Sequence, residues 1–441
     1  MTEQLTPDPV AAADVASAGG RSLPRALTPF RHPGYRRLAV ALVFSSLASG
    51  MWVVGLVWEV IRIDGGPGTL SLVTTAGAVG VLIPALLGGV VADRVPQKSI
   101  LLCVAAVELA GMGLVATLSA LDATTVGWLM GVSFAAGAGM AFYYPAYSAW
   151  LPALVAEEDL MAVNGFEGMV RPTIGQAAGP ALAGIAVAAV NPAAALGLAA
   201  LSSLVGLLAL TAVPRTPVRR DLTLGEPGQG AVASALADIR EGFAYMVRTP
   251  WLLATLLFAS IMILVMMGPL EVLVPFLIKD RLGGGPGDHA LVLAAFGIGG
   301  ALGSLVMASR PMPRRYLTVM NLMWGVGCLP FIAMVLATAV WQVVVAALVL
   351  GVFFSAPMVI WGTLLQRRVP AHLLGRVASL DFFVSISLMP VSMALAGPVS
   401  QWIGLEATFF LAGIVPGVVA VVAVVAARLP ADELAHPMRD D

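Results

Sequence analysis

Of the carboxyl groups that fall inside otherwise apolar stretches, three stand out: Glu59, Glu271 and Asp381. A charge in such surroundings is costly to hold and is a functional candidate by default. An isolated carboxyl of this kind suits two kinds of chemistry, exchange of a proton and recognition of a cation. Glu59 is the best placed. Ser45, Ser49, Trp52 and Glu59 follow at steps of 4, 3 and 7, which stack on one helix face. That stripe is expected to line a cavity, with Glu59 towards its end and able to carry a proton. The alternative is a local ion pair with Arg62, three residues on. Glu271 stands beside Pro269 and one turn after Met267, with Ser260 on roughly the same face; a proton or a cationic ligand suits it. Asp381 opens its stretch, with Ser385 and Ser392 on its face, and its shallow depth favours a gate.

Other polar groups are weaker signals. Glu167 and Arg171, four apart, can pair on one helix face, as a structural lock or, through Arg171, as a ligand contact. Gln176 follows one turn later. Tyr143, Tyr144, Tyr147 and Trp150 cluster, either as a membrane-interface belt or as a stacking wall for a planar ligand. The 20 methionines suit an adaptable apolar pocket, although core filling accounts for most of them. Glu108 has no evident role.

Enzyme chemistry is not indicated. His32, His289, His372 and His436 are scattered and form no ligand set, so no metal is expected. Cys103 and Cys328 read as packing thiols. There is no phosphate-cradling loop and no clustered nucleophile, so neither ATP nor any other cofactor is expected. A net charge of −1 gives no reason to expect nucleic acid.

The elements that must position these groups are membrane helices. Of 441 residues, 59% are hydrophobic and only 11% charged, against about 25% charged in soluble domains. A span needs roughly 20 apolar residues, and twelve are expected, at about 37–61, 69–92, 100–120, 124–148, 163–190, 193–213, 251–278, 289–309, 316–337, 340–363, 377–403 and 406–427. With the N-terminus inside, 20 of the 24 basic residues fall in cytoplasmic segments. That bias places both ends in the cytoplasm of a cell membrane. Arginine supplies all but two of the basic residues in an Ala-, Val- and Gly-rich chain, a bacterial composition.

Repeats divide the chain. GQAAGPALAG at 175–184 and MALAGPVSQW at 393–402 each place a Gly-Pro pair deep in an apolar helix, with Gly179 and Gly397 218 apart. Proline removes a donor and clashes one turn back, but neighbouring helices in a membrane can satisfy the freed carbonyl. GGPG recurs at 65–68 and 284–287. The expected organisation is a disordered tail at 1–35, six helices in 36–213, a linker at 214–248 with an amphipathic stretch at 231–247, six more helices in 249–428, and a tail at 429–441. A ligand path is expected between the two pseudo-symmetric halves.

These residues resemble the major facilitator superfamily. The loop Gly89-Val-Val-Ala-Asp93-Arg94-Val-Pro96-Gln97-Lys98 is similar to its cytoplasmic gate motif at Gly89, Asp93, Arg94 and Lys98, and departs from it at Pro96 and Gln97. Gly175, Gly179, Pro180 and Gly184 look like the antiporter motif found in its exporters. The run from Pro145 to Pro180, with GRVASL at 375–380, is similar to the enterobactin-exporter and macrolide-efflux branch of drug:proton antiporters. The resemblance covers roughly 30–428. It implies a monomeric all-α exporter in the lipid bilayer that exchanges protons for an amphipathic organic molecule such as a drug-like natural product or a siderophore. Asp93 and Arg94 would tie the halves together, with Arg376 a nearby partner. A lysophospholipid flippase and a proton-coupled nutrient importer are the alternatives on the same fold.

Overall fold

The computed structural model describes residues 25–151, 154–155, 159, 163, 166–168, 170–214, 231–370, 373, 377, 380–381, 383–384 and 387–438. Every element among them is helical. The first spans are α1 (Pro33–Arg62), α2 (Pro67–Arg94), α3 (Gln97–Ala120) and α4 (Val126–Trp150). α5 has two parts, Arg171–Ala178 and Gly179–Ala189, and α6 is Pro192–Thr211. α7 (Ala231–Arg248) leads into α8 (Pro250–Arg281) and α9 (Pro286–Ala308). α10 (Tyr316–Val326) and α11 (Pro330–Leu336) are followed by α12 (Val340–Arg368), α13 (Met389–Ile403), α14 (Leu405–Ala426) and α15 (Leu429–Ala435). Ten helices among the described residues are long and apolar enough to cross a membrane. The expected spans at 163–190 and 377–403 run partly outside the described residues.

Prolines set the starts. Pro33, Pro67, Pro192, Pro250, Pro286 and Pro330 each occupy the first helical position, where no N–H is needed and φ is already set. Side chains complete several caps. Asn191 Oδ1 accepts from the Ala194 N–H at 2.9 Å. Asp288 Oδ2 accepts from the Gly285 N–H at 2.8 Å.

Helices α1–α6 pack chiefly on one another, and α8–α14 likewise. The groups meet through α2 on α13 and α5 on α9, with α8 touching α2 near Pro269–Leu273 and α1 touching α9. Two faces result. The loop face gathers the ends near Arg62, Asp122, Arg281 and Glu406, joined by Arg62–Asp122 at 2.6 Å and Arg281–Glu406 at 2.8 Å. The tail face gathers both described chain ends, where Thr28 bonds Asp159 and Tyr316 bonds the His436 carbonyl.

Both tails differ from expectation. The expected tail of 35 residues ends earlier, because Arg25–Arg31 form a 3₁₀ turn and α1 begins at Pro33. Phe30 anchors that turn edge-on to Tyr35 and Phe166, at 5.4 and 5.0 Å. Residues 1–24 lie outside the described residues. At the other end, α15 is docked. Leu429 is fully buried, Asp432 pairs with Arg368, and Glu433 accepts from the N–H and Oγ1 of Thr318, at 3.1 and 2.6 Å. Glu433 thus caps α10 from outside the helix. Glu433→Ala leaves those donors unpaired and should cost about 1–2 kcal/mol. Thermal unfolding in detergent checks this, with a lowered midpoint expected.

Candidate functional site

The two Gly-Pro helices and the two GGPG segments turn out to be partners. A Cβ on Gly397 would meet Gly68 Cα at 2.7 Å and the Pro67 carbonyl at 2.8 Å. A Cβ on Gly184 would meet Ala290 Cβ at 2.6 Å, the Pro286 carbonyl at 3.0 Å and Gly287 Cα at 3.3 Å. Each Gly-Pro helix therefore rests on the GGPG helix start of the other group, backbone against backbone. The Gly397 N–H donates to Ser71 Oγ at 2.9 Å across this contact, in a buried setting. Both contacts lie towards the loop face. The symmetry is inexact, since Gly179, which matches Gly397 in sequence, is five residues from Gly184.

Gly179 has a different partner. Its Cβ would meet Gly50 Cα and the Leu47 carbonyl, both at 2.9 Å. Gly50 in turn leaves room for the Gly175 carbonyl and Pro180. Gly175 itself has ordinary space beside Ser46. So the motif packs on α1 through Gly179 and on α9 through Gly184. Gly268 repeats the Gly50 role 218 residues later (268 − 50 = 218). A Cβ there would meet the Ser392 carbonyl at 2.4 Å and Ala396 Cβ at 2.7 Å. The Gly268 N–H also donates to Ser392 Oγ at 2.8 Å. Sequence reasoning missed this pair, although its spacing equals that of Gly179 and Gly397.

The prolines reshape these helices. Arg171–Ala178, between Pro172 and Pro180, is a wide stretch with i→i−5 bonding, and the Gly179 N–H reaches the Ile174 carbonyl. Pro180 removes the donor that the Gln176 carbonyl would meet in a regular helix. Pro269–Leu273 and Leu277–Arg281 are widened likewise around Pro269 and Pro275. Such widened turns recur at functional sites.

Glu271 sits in the first of these turns, where α8 meets α2. It is half-buried. No hydrogen-bond or ion-pair partner is found for it among the described residues. Met267, half-buried, is one turn away. Gln176 is exposed and leans on Gly297 of α9, so it faces open space where the groups meet.

Glu59 is placed otherwise. It is fully buried and held by Arg62, whose Nε and a terminal nitrogen donate at 2.9 and 2.8 Å. Ser119 Oγ of α3 donates a third bond at 2.7 Å. This is the local ion-pair geometry, reinforced across α1–α3 and away from the contacts between the groups. The stripe expected with it is uneven, since Trp52 is buried, Ser45 half-buried and Ser49 exposed. Glu59→Gln breaks a buried pair whose arginine keeps Asp122, so about 1–3 kcal/mol of stability should be lost. A lowered melting midpoint in detergent is expected, and an unchanged midpoint would mean that the pair adds no stability.

On the tail side of the first group, Tyr147 donates to Glu167 at 2.6 Å, and Glu167 faces Arg171 at 3.7 Å. Tyr143 stacks on Tyr147 at 5.5 Å, and the Arg171 guanidinium lies 5.0 Å from the Tyr144 ring centre. Tyr147 is buried, Tyr143 half-buried and Tyr144 exposed. The tyrosines therefore form a graded wall from core to open space, fixed by one ion pair. In the second group, Trp361 donates to Asp381 at 3.0 Å and meets Trp251 edge-on at 6.2 Å. Arg368 covers the other ring position of Trp251 at 4.8 Å, a cation–π contact.

Of the gate motif, Lys98 is a helix cap, donating to the Thr211 carbonyl at 2.7 Å and to that of Val213. A cation there suits the C-terminal end of α6. Gly89, Asp93 and Arg94 belong to the α2 backbone, but their side chains lie outside the described residues, as do Arg376 and Ser385. No group of three or more metal-ligating side chains occurs among the described residues.

Two bundles of apolar helices, joined by close glycine contacts on one face, suit a multi-pass membrane transporter. Comparison with known proteins agrees. Residues 24–439 match the family described as transmembrane secretion effector, within the major facilitator superfamily. The multidrug efflux pump Tap of Mycolicibacterium fortuitum is 27% identical over 421 residues, covering 90% of this chain and 96% of that protein. Macrolide efflux protein A of Streptococcus pyogenes is 26% identical over 352 residues, covering 78% and 85%. The enterobactin exporter EntS of Salmonella choleraesuis is 26% identical over 373 residues, covering 83% and 85%. A POT family transporter solved with 5-aminolevulinic acid has the same fold, with a TM-score of 0.70 at 14% identity, covering 90% of this chain and 96% of that one. The chain belongs to the transmembrane secretion effector family and is an efflux transporter of the major facilitator type.

Proposed function

We propose that this protein exports an amphipathic organic molecule in exchange for protons, by alternating access between two six-helix halves with both ends in the cytoplasm. The observation that carries this is Glu271, a half-buried acid in the turn where α8 touches α2, with no hydrogen-bond or ion-pair partner among the described residues. An acid so placed can bind a proton from one side and release it to the other as the halves rock. The glycine contacts at Gly397 and Gly184 form the gate on the loop face, which the charge bias assigns to the outside. The form described here is then closed outside, with its cargo site reached from the cytoplasm. Gln176, Met267, Tyr143 and Tyr144 are the proposed cargo contacts, with Arg171 held by Glu167 to fix the tyrosine wall. Asp381, bound by Trp361, serves the cytoplasmic side. The relatives named for multidrug, macrolide and enterobactin export support a drug-like or siderophore cargo.

Accumulation of dyes, macrolides, phenicols and siderophores in efflux-deficient cells expressing the chain tests this reading. Lower accumulation that a protonophore abolishes is expected. Lower accumulation that a protonophore leaves intact would remove the proton.

A further inference from the structure

The ninth expected span is found at Tyr316–Leu336, with a tightened segment in its middle. α10 ends at Val326 and α11 starts at Pro330, with tightened turns between them: the Cys328 N–H bonds the Gly325 carbonyl and the Leu329 N–H that of Val326. Its counterpart α3 is regular over Gln97–Ala120, so the tightened segment belongs to one half alone. Beside these turns a groove of about 510 Å³ lies against α12, lined by Gly327, Pro330, Trp341, Val345, Ala346 and Phe353 among others. Gly327 and Ala346 form its buried floor, while Trp341 and Val345 are 65% and 52% exposed on its rim. The rim is continuous with the apolar outer faces of the spans, such as Val326, Leu329 and Leu336, all exposed. The groove therefore opens to the bilayer.

Its dimensions and ends match one kind of occupant. Trp341 and Phe353 are twelve residues apart on α12, which is about 18 Å along a helix. One leaflet of the hydrocarbon core is about 15 Å deep. The upper end is polar. Gln342 Oε1 accepts from the N–H groups of Thr338 and Ala339, at 2.7 and 3.2 Å, which leaves the Gln342 amide N–H₂ without a partner among the described residues. Beside it stands the exposed Trp341, a residue type favoured where helices meet headgroups. Below, the lining is apolar. We propose that it is a binding site for one phospholipid, with an acyl chain along α12 from Val345 to Phe353 and the ester or phosphate oxygens accepting from Gln342. This assignment is independent of the cargo and of proton coupling.

The test reconstitutes the full chain in phosphatidylethanolamine vesicles containing a trace of phospholipid with a diazirine on its acyl chain. After irradiation, cross-linked peptides are mapped by mass spectrometry. Cross-links should concentrate at 326–333 and 341–353, several-fold above the exposed face of α6 at Leu198, Leu201 and Leu208. Ala346→Phe and Ala333→Trp each fill the groove and should remove that excess while α6 labelling stays constant. Ala333 is exposed, so its substitution remains informative if Ala346→Phe disturbs folding. Equal labelling of both faces, or an excess indifferent to both substitutions, would overturn the site. An excess displaced by an exported dye at constant lipid would assign the groove to cargo and overturn the lipid.

Discussion

Gly397→Leu abolishes export and leaves the protein in the membrane. The three nearest atoms that a Cβ at this position meets, at 2.7–2.8 Å, belong to Pro67 and Gly68 of the other group. The first clash is therefore with the loop-face closure. Overpacking of this kind costs about 1–3 kcal/mol. Charged against one of two states, that shifts their ratio by roughly 5- to 150-fold. The form described here should become the minor one. A cysteine at Ser71, buried beneath the contact, reports the shift through its reaction with a membrane-impermeant maleimide added outside. Fast labelling in the Gly397→Leu background and slow labelling without it are expected. Equal labelling with intact export would mean that these contacts do not gate. Gly179→Leu is a different experiment, because its Cβ strikes Gly50 within the same group and so tests folding.

Glu271→Gln is the second large effect. The amide keeps the shape of the side chain but cannot exchange a proton. Since no described group depends on Glu271 for a hydrogen bond, folding should be unchanged. Proton-driven export should fall by more than about tenfold, the loss of about 1.4 kcal/mol of coupling or more. Glu271→Asp, one methylene shorter, should retain part of it. Export by Glu271→Gln that is undiminished and still sensitive to a protonophore would place the proton elsewhere, with Asp381 the next candidate.

Much of the fold could be read from the chain because membrane helices announce themselves locally. The span limits at 69–92, 100–120 and 406–427 lie within a few residues of α2, α3 and α14, whose ends carry proline, glycine or charge. The ninth span was expected over 316–337 and is found at Tyr316–Leu336, but its unbroken hydropathy hid the tightened turns between Val326 and Pro330. Gly327 and Pro330 were the available signs of those turns. Glu59 shows where local pattern competes with tertiary contact. Its pairing with Arg62 was legible at three residues' spacing, but Ser119, sixty residues away, was not. The Gly-Pro and GGPG repeats were each visible, yet nothing in a sequence says that one docks on the other. That relation arises from the antiparallel arrangement of spans, which brings α13 to the start of α2 and α5 to the start of α9. Gly50 and Gly268 passed unnoticed because a lone glycine in an apolar span has no signature of its own.

The central claim is that outward movement of an organic cargo is linked to inward movement of protons through Glu271. Purified protein in vesicles, with a fluorescent substrate identified by the cell panel and an imposed proton gradient, measures both flows at once. The account predicts that substrate moves only when the gradient is present, that an acid pulse follows it in the opposite direction, and that Glu271→Gln removes both together. Substrate movement that proceeds at the same rate without a gradient, or a proton flux that survives in Glu271→Gln, would contradict it.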